Sequence, residues 1–386
     1  MTFLIVAISG RALAQSAHRG GLASAVVDCF GDLDTREVAG EVTVVPDLTP
    51  AALTAAVDQL WARLSPRGLV PGSGLESNPD VVARMGRDRC LYGNDPAVTA
   101  AVKDPAAFFG ALDRLAVPHP ETHTTSPAIG GDWLRKRIGG TGGAHIRAVP
   151  GDVSLRPDEY LQRRVEGESY SVLFLTDGRE TAILGYNRHW VAQSAARMPF
   201  RQSGAVQWPA VYAPWRTAVD RHVRAIAAHF GLRGLCGMDF MIDGAGAPMA
   251  LEINPRPPST FELHEGVDSL FVAHLEACAG RLTSPRLRAD GIAASAVCYA
   301  ETAGEIPAGF HWPVWVADRP VAGRHITGDE PLCTVFGTGA DPDGACRQVA
   351  ERLDDLRMKL AAKAISIARP LAAPSHRPSG PIFIER

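Results

Sequence analysis

The stretch Gly237-Met-Asp-Phe-Met-Ile-Asp-Gly-Ala-Gly-Ala-Pro-Met-Ala-Leu-Glu-Ile-Asn-Pro-Arg-Pro257 reads as two apolar strands around a glycine-rich connection. Phe240, Ile242, Leu251 and Ile253 alternate with the acids and would seat such a hairpin on a core. With Gly244–Ala247 as a four-residue loop, Asp243 faces Pro248 and Asp239 lies opposite Glu252. Asn254, two residues beyond Glu252, then projects from the same face. Directly opposed carboxylates about 5 Å apart repel each other. A divalent cation turns that penalty into attraction, and three hard oxygen donors suit Mg²⁺, with Mn²⁺ as an alternative. The plain reading is an acidic hairpin face turned to solvent. Arg256 follows at once, a fixed cation suited to a carboxylate or a phosphate.

About 100 residues upstream, Trp133-Leu-Arg-Lys-Arg-Ile-Gly-Gly-Thr-Gly-Gly143 places Lys136 at the end of a strand, just before a loop containing Gly139, Gly140, Gly142 and Gly143. Exposed backbone N–H groups in such a loop can cradle phosphate oxygens. It is not a Walker A loop, because the lysine precedes the glycines. A flexible hairpin tip is the commoner use of such a loop.

The flanking sequence alternates strand and helix. Residues 2–8, 23–28, Val42–Pro46 and Gly68–Pro71 read as strands, with helices over 12–20 and Pro50–Leu64, so residues 1–100 form a small parallel α/β domain. It lacks the G-x-G-x-x-G fingerprint, which leaves Asp28 as a strand-end or turn residue. A helix over 104–115, a strand-rich run to about 190, a helix over 217–230 closed by Gly231, short β runs over 290–340 and a helix over 347–367 complete the pattern. The proline-rich tail beyond it reads as extended or loosely ordered.

A formal charge of -3 and 46% hydrophobic residues exclude a nucleic-acid binder driven by basic excess and a disordered chain. No run approaches 18 apolar residues, so no membrane helix is expected. The seven cysteines form no C-x-x-C and suit a reducing cytoplasm. Only four of the 39 basic residues are lysine, Lys103, Lys136, Lys359 and Lys363. A lysine retained against that bias suggests a place for a compact point charge.

Together, Lys103 before a helix and Val117-Pro-His-Pro120, Lys136 with its glycine loop, Gln162-Arg-Arg-Val-Glu-Gly167, Asp239 and Glu252-Ile-Asn-Pro-Arg256 resemble the ATP-grasp superfamily over about residues 100–257. The resemblance implies α/β and α+β multidomain architecture. Residues 1–100 would be a Rossmann-like pre-ATP-grasp domain, 101–285 the ATP-grasp domain with a flap over about 119–160, and 286–386 a β-rich C-terminal segment. It also implies that Lys103 and Lys136 contact ATP phosphates, and that Asp239, Glu252 and Asn254 bind Mg²⁺. Arg256 would stand near the reacting acyl group, and Gln162 and Val165 in the adenine hinge, with Glu166 or Glu168 taking the ribose. Asp318–Val335 resembles the C-terminal segment of predicted carboligases related to biotin carboxylase and associated with methanofuran, methylofuran and tetrahydromethanopterin metabolism.

Three positions depart from the pattern: Gln162 where many relatives have Glu, Arg137 where they have Pro, and Gly237 where peptide-ligase relatives have Arg. The activity implied is ATP-dependent carboxylate–amine ligation through an acyl phosphate, with small-molecule partners, no nucleic acid or membrane, and a homo-oligomer compatible with it. A biotin-carboxylase-like or carboxyphosphate-using carboxylase and an ATP-binding regulatory protein without turnover remain alternatives. His119 and His123 are separated by a proline that disfavours one helical face, His145 follows the glycine loop, and His264 lies where an acceptor site would be lined.

Overall fold

The computed structural model describes residues 1–125, 131–149, 153–191, 198–209, 213–361, 363 and 365–367. The expected proline-rich tail lies outside the described residues. Strands Thr2–Val6, Ala23–Asp28, Glu41–Val44 and Leu69–Pro71 form a parallel sheet, with Thr2–Val6 paired to both Ala23–Asp28 and Leu69–Pro71. Asp28 is a turn residue, since its carboxylate accepts the N–H groups of Gly10, Phe30 and Gly31 at 3.0, 3.2 and 2.8 Å.

Three helices beginning with proline follow, Pro79–Met85, Pro96–Lys103 and Pro105–Arg114. The fixed φ of proline suits the first helical position. Asp95 and Asp104 cap the last two by accepting the N–H groups of Ala97 and Ala107. The chain turns at Asp104, which leaves Lys103 at the C-terminal end of a helix, where the helix dipole favours a cation.

A separate four-stranded sheet of Thr122–His123, Glu159–Arg163, Trp133–Arg137 and Arg147–Val149 occupies the span expected for a flap. It takes in residues beyond the expected limit of about 160. The main sheet is antiparallel and eight-stranded, in the order Pro248–Asn254, Arg233–Asp243, Gly167–Asp177, Thr181–Val191, Gln202–Gln207, Ile292–Tyr299, Pro331–Gly339 and Val316–Ala317. Pairing of Gln202–Gln207 with Ile292–Tyr299 carries this sheet without a break into the C-terminal region. Helix Ala213–Phe230 covers one face around the fully buried Phe174 and Phe240. Burial of such a ring contributes about 1.5–3 kcal/mol. Helix Leu270–Cys278 joins the parallel sheet to the main sheet through Phe271 and Leu275.

The final helix runs over Pro342–Ala361, starting and ending earlier than the expected 347–367, because Pro342 provides the start. Gly337 of the preceding strand lies against Val349. Among the described residues no helix is long and apolar enough to cross a membrane.

Candidate active site

In the hairpin, Asp239 pairs with Glu252 and Gly237 with Asn254, as the alternation requires. The turn differs from expectation. Asp243 bonds to Ala247 across Gly244–Gly246, a three-residue loop in which Gly246 adopts φ 83°, and Phe240 pairs with Ala250. An irregularity at Leu251 absorbs the odd residue, so the short loop and the register at Asp239 coexist. Asn254 Nδ2 donates to Asp239 Oδ2 at 3.2 Å, which puts all three side chains on one face.

Two lysines reach this face from separate elements. Lys103 Nζ donates to Glu252 Oε2 at 3.2 Å. Lys136, on flap strand Trp133–Arg137, donates to Gln162 Oε1 at 2.7 Å and is buried. Burial lowers its pKa, while Glu252 and Asp239 pull the other way. Gln162 holds Lys136 without neutralising it, since an amide carries no charge. Its Nε2 is buried and makes no hydrogen bond among the described residues.

Loss of water, then the neighbouring Glu252 charge, pushes the Asp239 carboxyl up to about 7. Burial would raise Glu252 as well, but Lys103 and Lys136 pull it well below the usual carboxylate range. Two adjacent acids, one of them short of compensation, fit a divalent cation. Asp239, Glu252 and Asn254 would hold it. The third oxygen would come from the Asn254 amide; among the described residues no group of three His, Cys, Asp or Glu is placed to bind a metal.

Arg256 spans two domains. Its Nε donates to Glu76 and its Nη2 to Asn254 Oδ1 at 3.2 Å. Glu76 is buried, and its other oxygen accepts the Gly74 N–H at 2.7 Å. Sequence reading missed Glu76, because only the tertiary fold brings a parallel-sheet loop to the hairpin's exit. Gly237 lies where a Cβ would come within 3.2 Å of Pro258, so the space for a side chain there is tight.

The glycine loop has conformational reasons for its composition. Gly139, Gly142 and Gly143 adopt φ of 67°, 66° and 73°, where other residues are strained. A Cβ on Gly140 would strike the His145 ring. His145 is pushed down to about 4, chiefly by burial, and its Nδ1 makes no hydrogen bond among the described residues. It stays neutral beside the lysines and can offer a neutral donor or acceptor. A cavity of about 50 Å³ lies between Lys103, Lys136, Gly140, His145 and Glu252. That is space for water and not for a nucleotide.

Val165 is half-buried and Glu166 exposed in the connection after the flap, while Glu168 accepts from Tyr170 and pairs with Arg188. Arg137 is exposed. His119 and His123 do not meet at a metal, since one contacts Asp113 at 3.1 Å and the other Glu121 at 2.9 Å. His264 is a core residue and not an acceptor-site residue. Its ring is buried against Gly185, with Nε2 2.8 Å from Asn187 Oδ1 and Nδ1 3.3 Å from Gln207 Nε2.

A family profile for the ATP-grasp domain matches residues 102–260, the span that holds both lysines, the glycine loop and the hairpin. The chain carries an ATP-grasp domain. Outside it the fold continues to follow ATP-grasp proteins. The biotin carboxylase domain of 2-oxoglutarate carboxylase from Hydrogenobacter thermophilus, solved as a dimer with MgADP, ADP and bicarbonate, aligns at TM-score 0.71 and 16% identity over 95% of this chain and 90% of that one. N5-carboxyaminoimidazole ribonucleotide synthetase from Thermotoga maritima aligns at TM-score 0.63 and 14% identity over 95% and 99%. L-Amino acid ligase from Bacillus licheniformis aligns at TM-score 0.64 and 12% identity over 95% and 98%. A comparison with curated protein sequences finds no match. The ATP-grasp fold thus extends over nearly the whole chain, with the parallel domain at its front and the 292–339 strands at its rear.

Proposed function

We propose that the protein is an ATP-dependent, ADP-producing ligase that joins a small carboxylate to a small amine through an acyl phosphate. The observation that carries this reading is the convergence of Lys103, Lys136 and the Asp239–Glu252 pair beneath the glycine loop. The ATP-grasp domain match and the likeness to ligase and carboxylase folds support it.

A carboxylate is a poor acyl donor, and phosphorylation gives it a leaving group. Transfer of the γ-phosphoryl to the carboxylate oxygen releases ADP. Attack by the amine then expels inorganic phosphate as the C–N bond forms and the nitrogen gives up a proton. The protein's work is positioning and charge neutralisation. Lys103 and Lys136 would face the transferring phosphoryl group. Mg²⁺ held by Asp239, Glu252 and Asn254 would supply charge neutralisation at the phosphates. Arg256 would steady the carboxylate or its developing oxyanion, itself oriented by Glu76 and Asn254. The glycine loop lifts to admit nucleotide and closes to keep water from the acyl phosphate. Glu166 or Glu168 would meet the ribose, and the hinge at Gln162 and Val165 the adenine.

The likeness of Asp318–Val335 to carboligase segments suggests a place in making a one-carbon carrier cofactor. The test is ADP release by purified protein with paired carboxylates and amines, with bicarbonate as a separate arm. Release requiring both an acid and an amine is expected. Release driven by bicarbonate without an amine would assign the carboxylase chemistry instead, and nucleotide binding without turnover in any arm would assign a regulatory role.

A further inference from the structure

A second, larger cavity of about 310 Å³ lies behind the glycine loop. It is built by three separated parts of the chain. The parallel domain contributes Ile8, Ser9, Arg11–Leu13, Phe30 and Asp32, the segment after Arg256 contributes Pro257 and Ser259–Glu262, and the C-terminal strands contribute Val297, Tyr299 and Leu332–Thr334. Gly142 lines it too, so the cavity meets both the glycine loop and the chain next to Arg256. Most of its wall is apolar.

The charged groups in that wall are Arg11, Arg324, Asp32, Glu262 and Asp318. Most are committed to the fold. Arg11 donates to Glu262 through both terminal nitrogens and to Asp318 at 2.9 and 3.0 Å. Asp318 also accepts from Thr334 Oγ1 at 2.6 Å. Arg324 donates to Glu330 and lies 4.8 Å above the Phe30 ring. Asp34, behind Arg11, accepts the N–H groups of Asp318 and Arg319.

Asp32 differs. It is 2% exposed and stands at the N-cap of Leu33–Val38, where an aspartate ordinarily accepts a helix N–H, yet its side chain makes no capping bond. Its Oδ1 accepts no hydrogen bond among the described residues, and the nearest cation is Arg324 Nη1 at 3.7 Å. A buried carboxylate with so little compensation is costly unless a partner arrives. Burial, followed by the charges of Asp318 and Asp34, pushes Asp32 up to about 8, so its charged form is favoured only when a cation stands beside it. One carboxylate whose nearest cation is Arg324 at 3.7 Å, with no hydrogen bond to its Oδ1, is too little for a divalent ion but sufficient for one ammonium group.

We propose that this cavity binds the amine substrate as an ammonium group on an apolar, ring-sized body, with its nitrogen at Asp32. The inference rests on the ligase reading for the role of that amine, but the recognition itself does not depend on turnover. Val297, Leu332 and Phe336 would take the apolar body. Access beside Gly142 and Pro257 would let the amine reach the acyl phosphate once Asp32 releases it.

The test uses the full chain and three probes with one shared body: benzylamine, benzyl alcohol and benzoate. Calorimetry should show benzylamine binding at least about tenfold more tightly than either other probe, since one charge-assisted contact to a buried group is worth about 1.5–3 kcal/mol. Asp32→Asn should erase that preference, and Val297→Phe, which narrows the cavity from the C-terminal strands, should weaken all three. MgADP binding by each variant, measured separately, reports an intact nucleotide domain. Equal or tighter binding of benzoate, a preference that survives Asp32→Asn, or benzylamine binding untouched by Val297→Phe would overturn the proposal. Loss of MgATP binding in wild-type protein that still prefers benzylamine would overturn the ligase reading and leave this one standing.

Discussion

Two groups of half-buried acids adjoin the glycine loop, and they are paired differently. Around Arg11, the carboxylates of Glu262 and Asp318 take hydrogen bonds from one guanidinium, with Asp34 3.9 Å from its Nε. On the hairpin, Asp239 faces Glu252 and takes the Asn254 amide, and Glu252 takes Lys103 at 3.2 Å, with no arginine bonded to either acid among the described residues. The first arrangement locks the parallel domain, the segment after Arg256 and the C-terminal strands together. The second leaves charge for a ligand. Saturation by arginine therefore separates carboxylates that hold the fold from carboxylates available to bind.

Arg11→Ala gives the largest expected effect. It strands Glu262 and Asp318 without their cation, and removal of one buried partner costs about 3–5 kcal/mol. Urea unfolding should show that loss, whereas a midpoint close to wild type would mean the cluster holds nothing together. The hairpin should respond in the opposite sense. Asp239→Asn relieves like-charge repulsion and leaves the Lys103–Glu252 pair in place, so the unfolding midpoint should be no lower than wild type. ADP formation should fall about 10²–10³-fold, the scale of losing a preorganised charge contact. Unchanged ADP formation would remove the hairpin from the chemistry.

Lys136→Arg sharpens the comparison further. Arginine keeps the charge but not the compact geometry that fits beside Gln162, and ATP use should drop by about tenfold or more. Wild-type kinetics in this variant would show that any cation serves there.

The smallest expected effect is on pH. His264 and His274 are buried and pushed down to about 4, chiefly by burial, from an ordinary 6.5. Each is neutral in the folded chain while the unfolded chain binds a proton below about pH 6.5. Their contribution is thus full above 6.5 and is lost as pH falls toward 4, at up to about 1.4 kcal/mol per pH unit for each group. Unfolding midpoints measured from pH 7 to 4.5 should decline over that window, and a midpoint flat to pH 5 would contradict it.

Much of the hairpin was legible in the sequence because strand alternation is local. Two-residue periodicity alone put Asp239, Glu252 and Asn254 on one face, and an error of one residue in the loop was cancelled by the irregularity at Leu251. Helices Pro79–Met85 and Leu270–Cys278 were less legible. The first is short, and the second is buried nearly all round, so neither shows a strong amphipathic period.

The sequence by itself determined the ATP-grasp pattern between Lys103 and Arg256, because each motif there is a short run whose chemistry travels with its neighbours in the chain. Only the tertiary structure decided which distant groups complete the site. Glu76 reaches Arg256 across 180 positions, and Arg11 reaches Asp318 across 307. Asp32 looks like an ordinary helix cap until the structure shows that it caps nothing and faces a cavity. Such pairings depend on how separate sheets pack. No local spacing encodes them, although the cost of burying an unpaired charge makes them visible once the fold is known.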